Sequence, residues 1–284
     1  MKKFCRVLSV LMCAALLLGA VSVSAFAAEN KTYLVLGDSI GVGLGIANPD
    51  EACYGRIIAN TNGYNYYNDA VSGYRSDDLL GHLYRTDVAS HVRTADIISI
   101  SIGGNDFLRN NYVGLIAQAS VGDFRAVDEA VNGVRTNFDS IMARIRELNP
   151  RALILMQTLY NPQDSNPALK ATYAKTVARL NAVFTDYDAN HPGEIEIVDV
   201  AKAFEGKVGL IAADTIHPSA EGNLVIARAV QAKLYALGVA NASQITVVTE
   251  PRDHGEIVSR KTVFERIKDF FIRLAAVIRQ LFKA

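Results

Sequence analysis

Five short strand-like runs, separated by segments of helical periodicity, constrain this chain most. The runs are residues 32–37 (TYLVLG), 64–71, 96–102 (DIISISI), 152–158 (ALILMQT) and 194–200 (EIEIVDV). Helical patterns fall at 55–60, 76–89, 124–148, 167–190 and 219–237. Continuous apolar runs suit strands that are buried on both faces. Their alternation with helices predicts a parallel five-stranded sheet in a three-layer α/β/α sandwich, with right-handed crossovers. Ligands of such sheets bind at the carboxyl ends of the strands. The loops that follow Gly37, Val71, Ile102 and Val200 are therefore expected to share one rim.

The formal net charge of zero over 284 residues conceals three unlike segments. Lys2, Lys3 and Arg6 precede an uncharged apolar run, and Ala25-Phe26-Ala27 supplies small residues where a signal peptidase cuts. Residues 1–27 thus read as a signal peptide and the mature chain as secreted or extracytoplasmic. Residues 260–284 carry seven bases and two acids, which leaves 19 bases against 27 acids in residues 28–259. An acidic body disfavours nucleic acid as a partner. Once Cys5 and Cys13 leave with the leader, Cys53 has no intrachain partner, and stability must come from the core.

The predicted rim gathers chemically capable residues. Gly37-Asp38-Ser39 follows the first strand, Ser72-Gly73 the second, and Gly103-Gly104-Asn105-Asp106 the third; Asp214-Thr215-Ile216-His217 precedes the last helix. A serine hydroxyl becomes a nucleophile when a base takes its proton. His217 is the candidate base, and Asp214, three residues earlier, is the candidate for holding the other ring nitrogen. The oxyanion formed on attack needs donors, for which the backbone N–H groups of Ser39 and Gly73 and the side-chain amide of Asn105 qualify. Singly, each piece has an ordinary explanation as a helix N-cap, a turn or a helix-entry residue. Four in this order on one rim are harder to explain that way.

With these residues in place, the sequence resembles the SGNH hydrolases, also called the GDSL esterase/lipase family. The resemblance rests on Gly37-Asp38-Ser39, Asn68-Asp69-Ala70-Val71-Ser72-Gly73, Gly103-Gly104-Asn105-Asp106 and Asp214-Thr215-Ile216-His217-Pro218, and it spans about residues 32–238. Ile40 stands where the name-giving motif has Leu. The resemblance implies a flavodoxin-like sheet, with Ser39 as nucleophile, His217 as base and Asp214 as the triad acid. It also implies Ser39, Gly73 and Asn105 as the oxyanion hole, and no cofactor or metal.

Other features have plainer readings. Gly41-Val42-Gly43-Leu44-Gly45 invites a nucleotide-binding reading, but its spacing is not G-x-G-x-x-G and no Walker Lys follows. His82, His91, His191 and His254 lack metal-ligand spacing and read as surface or helix residues. Asp38 and Asp106 are expected to bond local backbone, and residues 108–123 read as a long loop that either flanks the pocket mouth or makes a surface excursion. Residues 241–259 read as a linker or loose strand. Residues 260–284 form a basic amphipathic helix whose apolar face, including Phe264, Ile267, Phe271, Leu274 and Ile278, suits a membrane surface, the acidic body or a second copy.

The expectation is a secreted serine esterase or lipase whose hydrolase domain spans residues 28–240 and whose substrate is a lipid or glycan ester. An acetyl-carbohydrate esterase of the same family is the alternative within enzymes. A catalytically silent surface-binding protein is the alternative outside them.

Overall fold

A computed structural model describes residues 30–108 and 112–254. The signal-peptide reading of 1–27 and the amphipathic helix of 260–284 lie outside the described residues.

The chain enters the sheet at β1 (Thr32–Gly37) and continues through β2 (Asn65–Asn68), β3 (Ile97–Ser101), β4 (Leu153–Gln157) and β5 (Glu196–Val198). All strand pairs are parallel, and the spatial order is β2-β1-β3-β4-β5. This is the flavodoxin-like order expected from the sequence. The chain first builds outward from β1 to β2, then returns to β3 on the other side. The carboxyl ends of β1 and β3 therefore border the crevice where the winding reverses.

Alternate side chains on each strand point to opposite faces, so two cores form. Leu34, Leu36, Ile98, Ile100, Ile154 and Met156 face one core. There they meet α4 (Ser76–His82), α5 (Thr86–Thr94), α7 (Arg125–Leu148) and α8 (Lys170–Asn190) through residues such as Leu79, Val92, Phe138 and Phe184. Phe138 and Phe184 meet edge to face at 5.0 Å. Tyr33, Val35, Ile97, Leu155 and Val198 face the second core. It is closed by α3 (Tyr54–Asn62) and α10 (Ala220–Ala236) through Ile57, Ile58, Ile226, Val230 and Leu234.

Short helices occupy the connections: α1 (Ser39–Val42), α2 (Pro49–Ala52), α6 (Tyr112–Ser120) and α9 (Val200–Phe204). A 3-10 turn covers Gly104–Leu108. Three segments differ from the sequence expectation. Residues 76–89 break into α4 and α5, because the chain turns at Tyr84 and Arg85, whose N–H groups bond back to Gly81 and His82. Most of the expected loop at 108–123 is α6. Residues 241–254 are held along the body, without regular secondary structure. Ile245 and Val247 pack on the second core, Ala47 N–H donates to Arg252 O at 2.7 Å, and Gln231 Nε2 donates to Ala242 O.

Gly37 lets β1 end hard against β3. Its φ is +120°, and a Cβ there would lie 1.9 Å from Ser101 O. The Asp38 N–H then donates to the same carbonyl at 3.0 Å. Gly37→Ala combines a left-handed backbone with a backbone clash, and it is expected to lower unfolding free energy by about 3 kcal/mol or more. Urea unfolding measures this, and an unchanged midpoint would contradict it.

Candidate active site

The site begins where β1 stops. Asp38 caps α1, its Oδ1 accepting Ile40 N–H at 3.0 Å, and Ser39 becomes the first helical residue. The cap carboxylate is itself held by Ser101 Oγ at 2.9 Å. Ser39 is 6% exposed. Its Oγ lies 2.8 Å from His217 Nε2, and His217 Nδ1 lies 2.6 Å from Asp214 Oδ2. The structure thus places Ser39, His217 and Asp214 in one hydrogen-bonded row.

The carboxylate decides the direction of that row. Burial works to raise the Asp214 pKa. The bond from the His217 ring and the backbone N–H groups of His217 and Ile216 outweigh burial and hold it at about 2. An ionised Asp214 only accepts, so Nδ1 carries the proton and Nε2 is left to accept from Ser39.

The loop bearing Asp214 and His217 is tightly specified. Thr215 has φ +68°, which costs a non-glycine residue about 1 kcal/mol or more. The strain is fixed by neighbours: Tyr160 OH donates to Ile216 O at 2.8 Å, and Gln163 Nε2 donates to Thr215 O at 3.1 Å. Gly45 makes room for this loop, since a Cβ there would sit 2.4 Å from Pro218 O and 3.0 Å from His217 Cβ. The glycine run that invited a nucleotide reading therefore serves close packing around the site.

Asn105 follows β3 at the start of the 3-10 turn. One of its amide hydrogens goes to Tyr74 O at 2.8 Å. Its neighbour Asp106 accepts from Ser76 N–H and Ser76 Oγ, and Asn137 Nδ2 donates to that hydroxyl. Asp106 thus holds the turn against α4 and α7. Gly73 sits in the turn before Tyr74, with φ +84° and open space around its Cα. Neither Ser39 N–H nor Gly73 N–H bonds an acceptor among the described residues. Ser39, Asn105 and His217 border the cavity, whereas Gly73 lies outside its lining. Of the other histidines, His82 is buried and bonds Tyr74 OH and Asp69 O, and His91 pairs with Asp69 at 2.8 Å. His82 is thus a buried helix residue at the end of α4, within the surface-or-helix reading of the sequence.

The cavity measures about 590 Å³. Apolar side chains dominate its walls: Ile116 from α6, Val177 and Leu180 from α8, and Leu159 from the segment after β4. Sequence reasoning missed Ser101, Tyr160 and Gln163 as supports, and α6 as a wall.

Asp38 is an isolated liability beside the nucleophile. Burial lifts its carboxyl from 3.8 to about 6, against the opposing Ile40 N–H and Ser101 hydroxyl. Between about pH 4 and pH 6 the native state therefore keeps a proton that the unfolded chain has released. Stability from this group falls as pH rises through that window, and the cost is complete above it. Asp38→Asn keeps the acceptor and cannot ionise. It is expected to be more stable than the parent at pH 7 by about 3 kcal/mol, with most of the difference gone near pH 4. Urea titrations at both pH values test this, and equal stability at pH 7 would contradict it.

Comparison with known proteins places the chain in a family. The uncharacterized protein YpmR of Bacillus subtilis is 30% identical over 226 residues, covering 71% of this chain and 80% of that one. The spore germination lipase LipC of Bacillus licheniformis is 26% identical over 200 residues, covering 67% and 90%. The crystal structure of the lipase Lip_vut3 from a goat rumen metagenome superposes with a TM-score of 0.59 at 24% identity, covering 75% of this chain and 99% of that one. The model of the GDSL-like Lipase/Acylhydrolase family matches residues 35–225. The chain belongs to the GDSL-like lipase/acylhydrolase family, and it is a hydrolase acting on esters.

Proposed function

We propose that this protein is an exported serine esterase that cleaves carboxylic esters of medium-length acyl groups through an acyl-enzyme on Ser39. The observation that carries the reading is the Ser39–His217–Asp214 row opening onto a large apolar cavity. Ser39 Oγ attacks the acyl carbon as His217 Nε2 takes its proton. The carbonyl electron pair moves onto oxygen. That oxyanion is met by the N–H groups of Ser39 and Gly73 and by the second amide hydrogen of Asn105. Collapse expels the alcohol, protonated by His217, and leaves the acyl-enzyme. Water then attacks, His217 again takes and returns the proton, and the free acid departs. Asp214 keeps the ring in the productive tautomer and stabilises the imidazolium.

Cavity size separates the substrate classes. An acetyl group would leave most of 590 Å³ unfilled, whereas each methylene buried contributes about 0.8 kcal/mol. This favours a lipid-like acyl chain over an acetylated glycan. The leader-like residues 1–27 support action outside the cytoplasm.

Ser39→Ala is expected to reduce nitrophenyl-ester turnover by about 10⁴-fold or more with the circular dichroism spectrum unchanged. Asn105→Ala is expected to cost about 10²–10³ in kcat. In a chain-length series, turnover should peak at a medium acyl length and exceed that of an acetylated sugar. Faster turnover of the acetylated sugar would favour the carbohydrate esterase instead, and full activity of Ser39→Ala would overturn the mechanism.

A further inference from the structure

His82 is a buried ring to which acyl transfer gives no task, yet both of its nitrogens are engaged. Nε2 lies 3.1 Å from Asp69 O, and Nδ1 lies 3.3 Å from Tyr74 OH. A backbone carbonyl only accepts, so in the neutral ring Nε2 carries the proton and Nδ1 accepts from the Tyr74 hydroxyl. The same ring meets that of Tyr74 edge-on, with centroids 5.1 Å apart. From the end of α4, one side chain therefore grips both ends of the segment 69–74.

That segment carries Gly73. Its turn is closed by Tyr74 N–H donating to Val71 O at 3.2 Å, and Gly73 has the positive φ of +84° that such a turn reserves for glycine. Val71 N–H donates to Gly37 O at 3.0 Å, which ties the middle of the segment to the end of β1. The start is held at Asp69 by two histidines: His82 takes its carbonyl, and His91 pairs with its carboxylate at 2.8 Å. At the far end, His82 holds the Tyr74 side chain, and Tyr74 O accepts from the Asn105 amide at 2.8 Å. Gly73 itself is exposed, with nothing within 4 Å of where a Cβ would stand. A glycine in open space has no side chain to fix its backbone, so the direction of its N–H is set by what grips its neighbours.

We propose that His82 is a positioning residue for the oxyanion hole: it holds the Asp69–Tyr74 segment so that the Gly73 N–H and, through Tyr74 O, the Asn105 amide are aimed at the reacting carbonyl. The inference rests on the proposed esterase reading, in which those two donors meet the oxyanion. His82 touches neither substrate nor Ser39 in this scheme. Its contribution is preorganisation of donors that act on charge developed in the transition state, so its loss falls on kcat and spares substrate binding.

Steady-state hydrolysis of a medium-chain nitrophenyl ester by the full-length protein tests this. His82→Phe keeps a ring in place and removes both nitrogens. It is expected to lower kcat about 30-fold, with KM within about twofold of the parent. Tyr74→Phe, which deletes one hydroxyl, is expected to lower kcat about fivefold, again without moving KM. In the Asn105→Ala background the His82→Phe loss should shrink to about tenfold or less, because one of the donors it aims is already gone. A general loosening of the fold would instead cost the same in both backgrounds. If His82→Phe does not fold, Tyr74→Phe and its combination with Asn105→Ala decide the question in the same way. A parent-like kcat in either folded variant, a loss carried by KM, or full additivity with Asn105→Ala would each overturn the inference. Turnover by the parent that is abolished in Ser39→Ala would still stand in those cases, so failure of the positioning role and failure of the esterase reading are separable.

Discussion

The parallel pairing of β1 with β3, carried to its last residues, governs the rest of the site. Gly37 pairs with Ser101 at the end of that ladder. Because Gly37 has no side chain, the two backbones approach closely enough for Asp38 N–H and its carboxylate both to reach Ser101. That double tie fixes the N-terminus of α1 and with it the direction of the Ser39 hydroxyl. The same strand ends release the Asn105 turn from β3. Two of the chemical groups are thus placed by adjacent strands at the point where the sheet reverses its winding, and the third arrives on a loop braced by Tyr160, Gln163 and the bare backbone of Gly45.

This arrangement concentrates unfavourable groups where the chemistry would occur. Asp38 is a buried carboxyl, Thr215 holds a left-handed backbone, and Thr176 buries an unpaired hydroxyl. Each persists because the surrounding bonds and packing overdetermine it. Local rules often fail at functional sites, although the buried Tyr33 OH and Arg144 Nε are likewise without a hydrogen-bond partner among the described residues. The apolar side chains of the two cores follow strand periodicity: alternate residues of β1, β3 and β4 divide between them.

The central strands were legible in the sequence because runs such as 97–102 and 152–156 are dominated by apolar residues, as suits a strand covered on both faces, and their flavodoxin-like order was implied by the family resemblance. Ser39 was legible because it follows the first strand, and Asp214 and His217 because an acid three residues before a histidine precedes the last helix. What escaped has physical reasons. The 112–120 segment lacks a polar stripe, since α6 faces both a cavity and the small cluster of Ile116, Leu169 and Tyr173, and amphipathic periodicity never develops. The division between α4 and α5 is marked by no Pro or Gly at the turn itself. Gly45 and Ser101 act through partners far along the chain, a relation that no local pattern records. The cavity itself is a property of several elements meeting, and no single stretch announces it.

In the proposed mechanism Ser39, activated by His217, is the one nucleophile at the mouth of this cavity. Reaction with an alkyl fluorophosphonate of medium chain length, followed by intact-mass and peptide-mapping mass spectrometry, tests it most directly. The account predicts a single adduct, confined to the peptide containing Ser39 and slowed strongly by His217→Ala. An adduct on another residue, or labelling of Ser39 at an undiminished rate in His217→Ala, would contradict it.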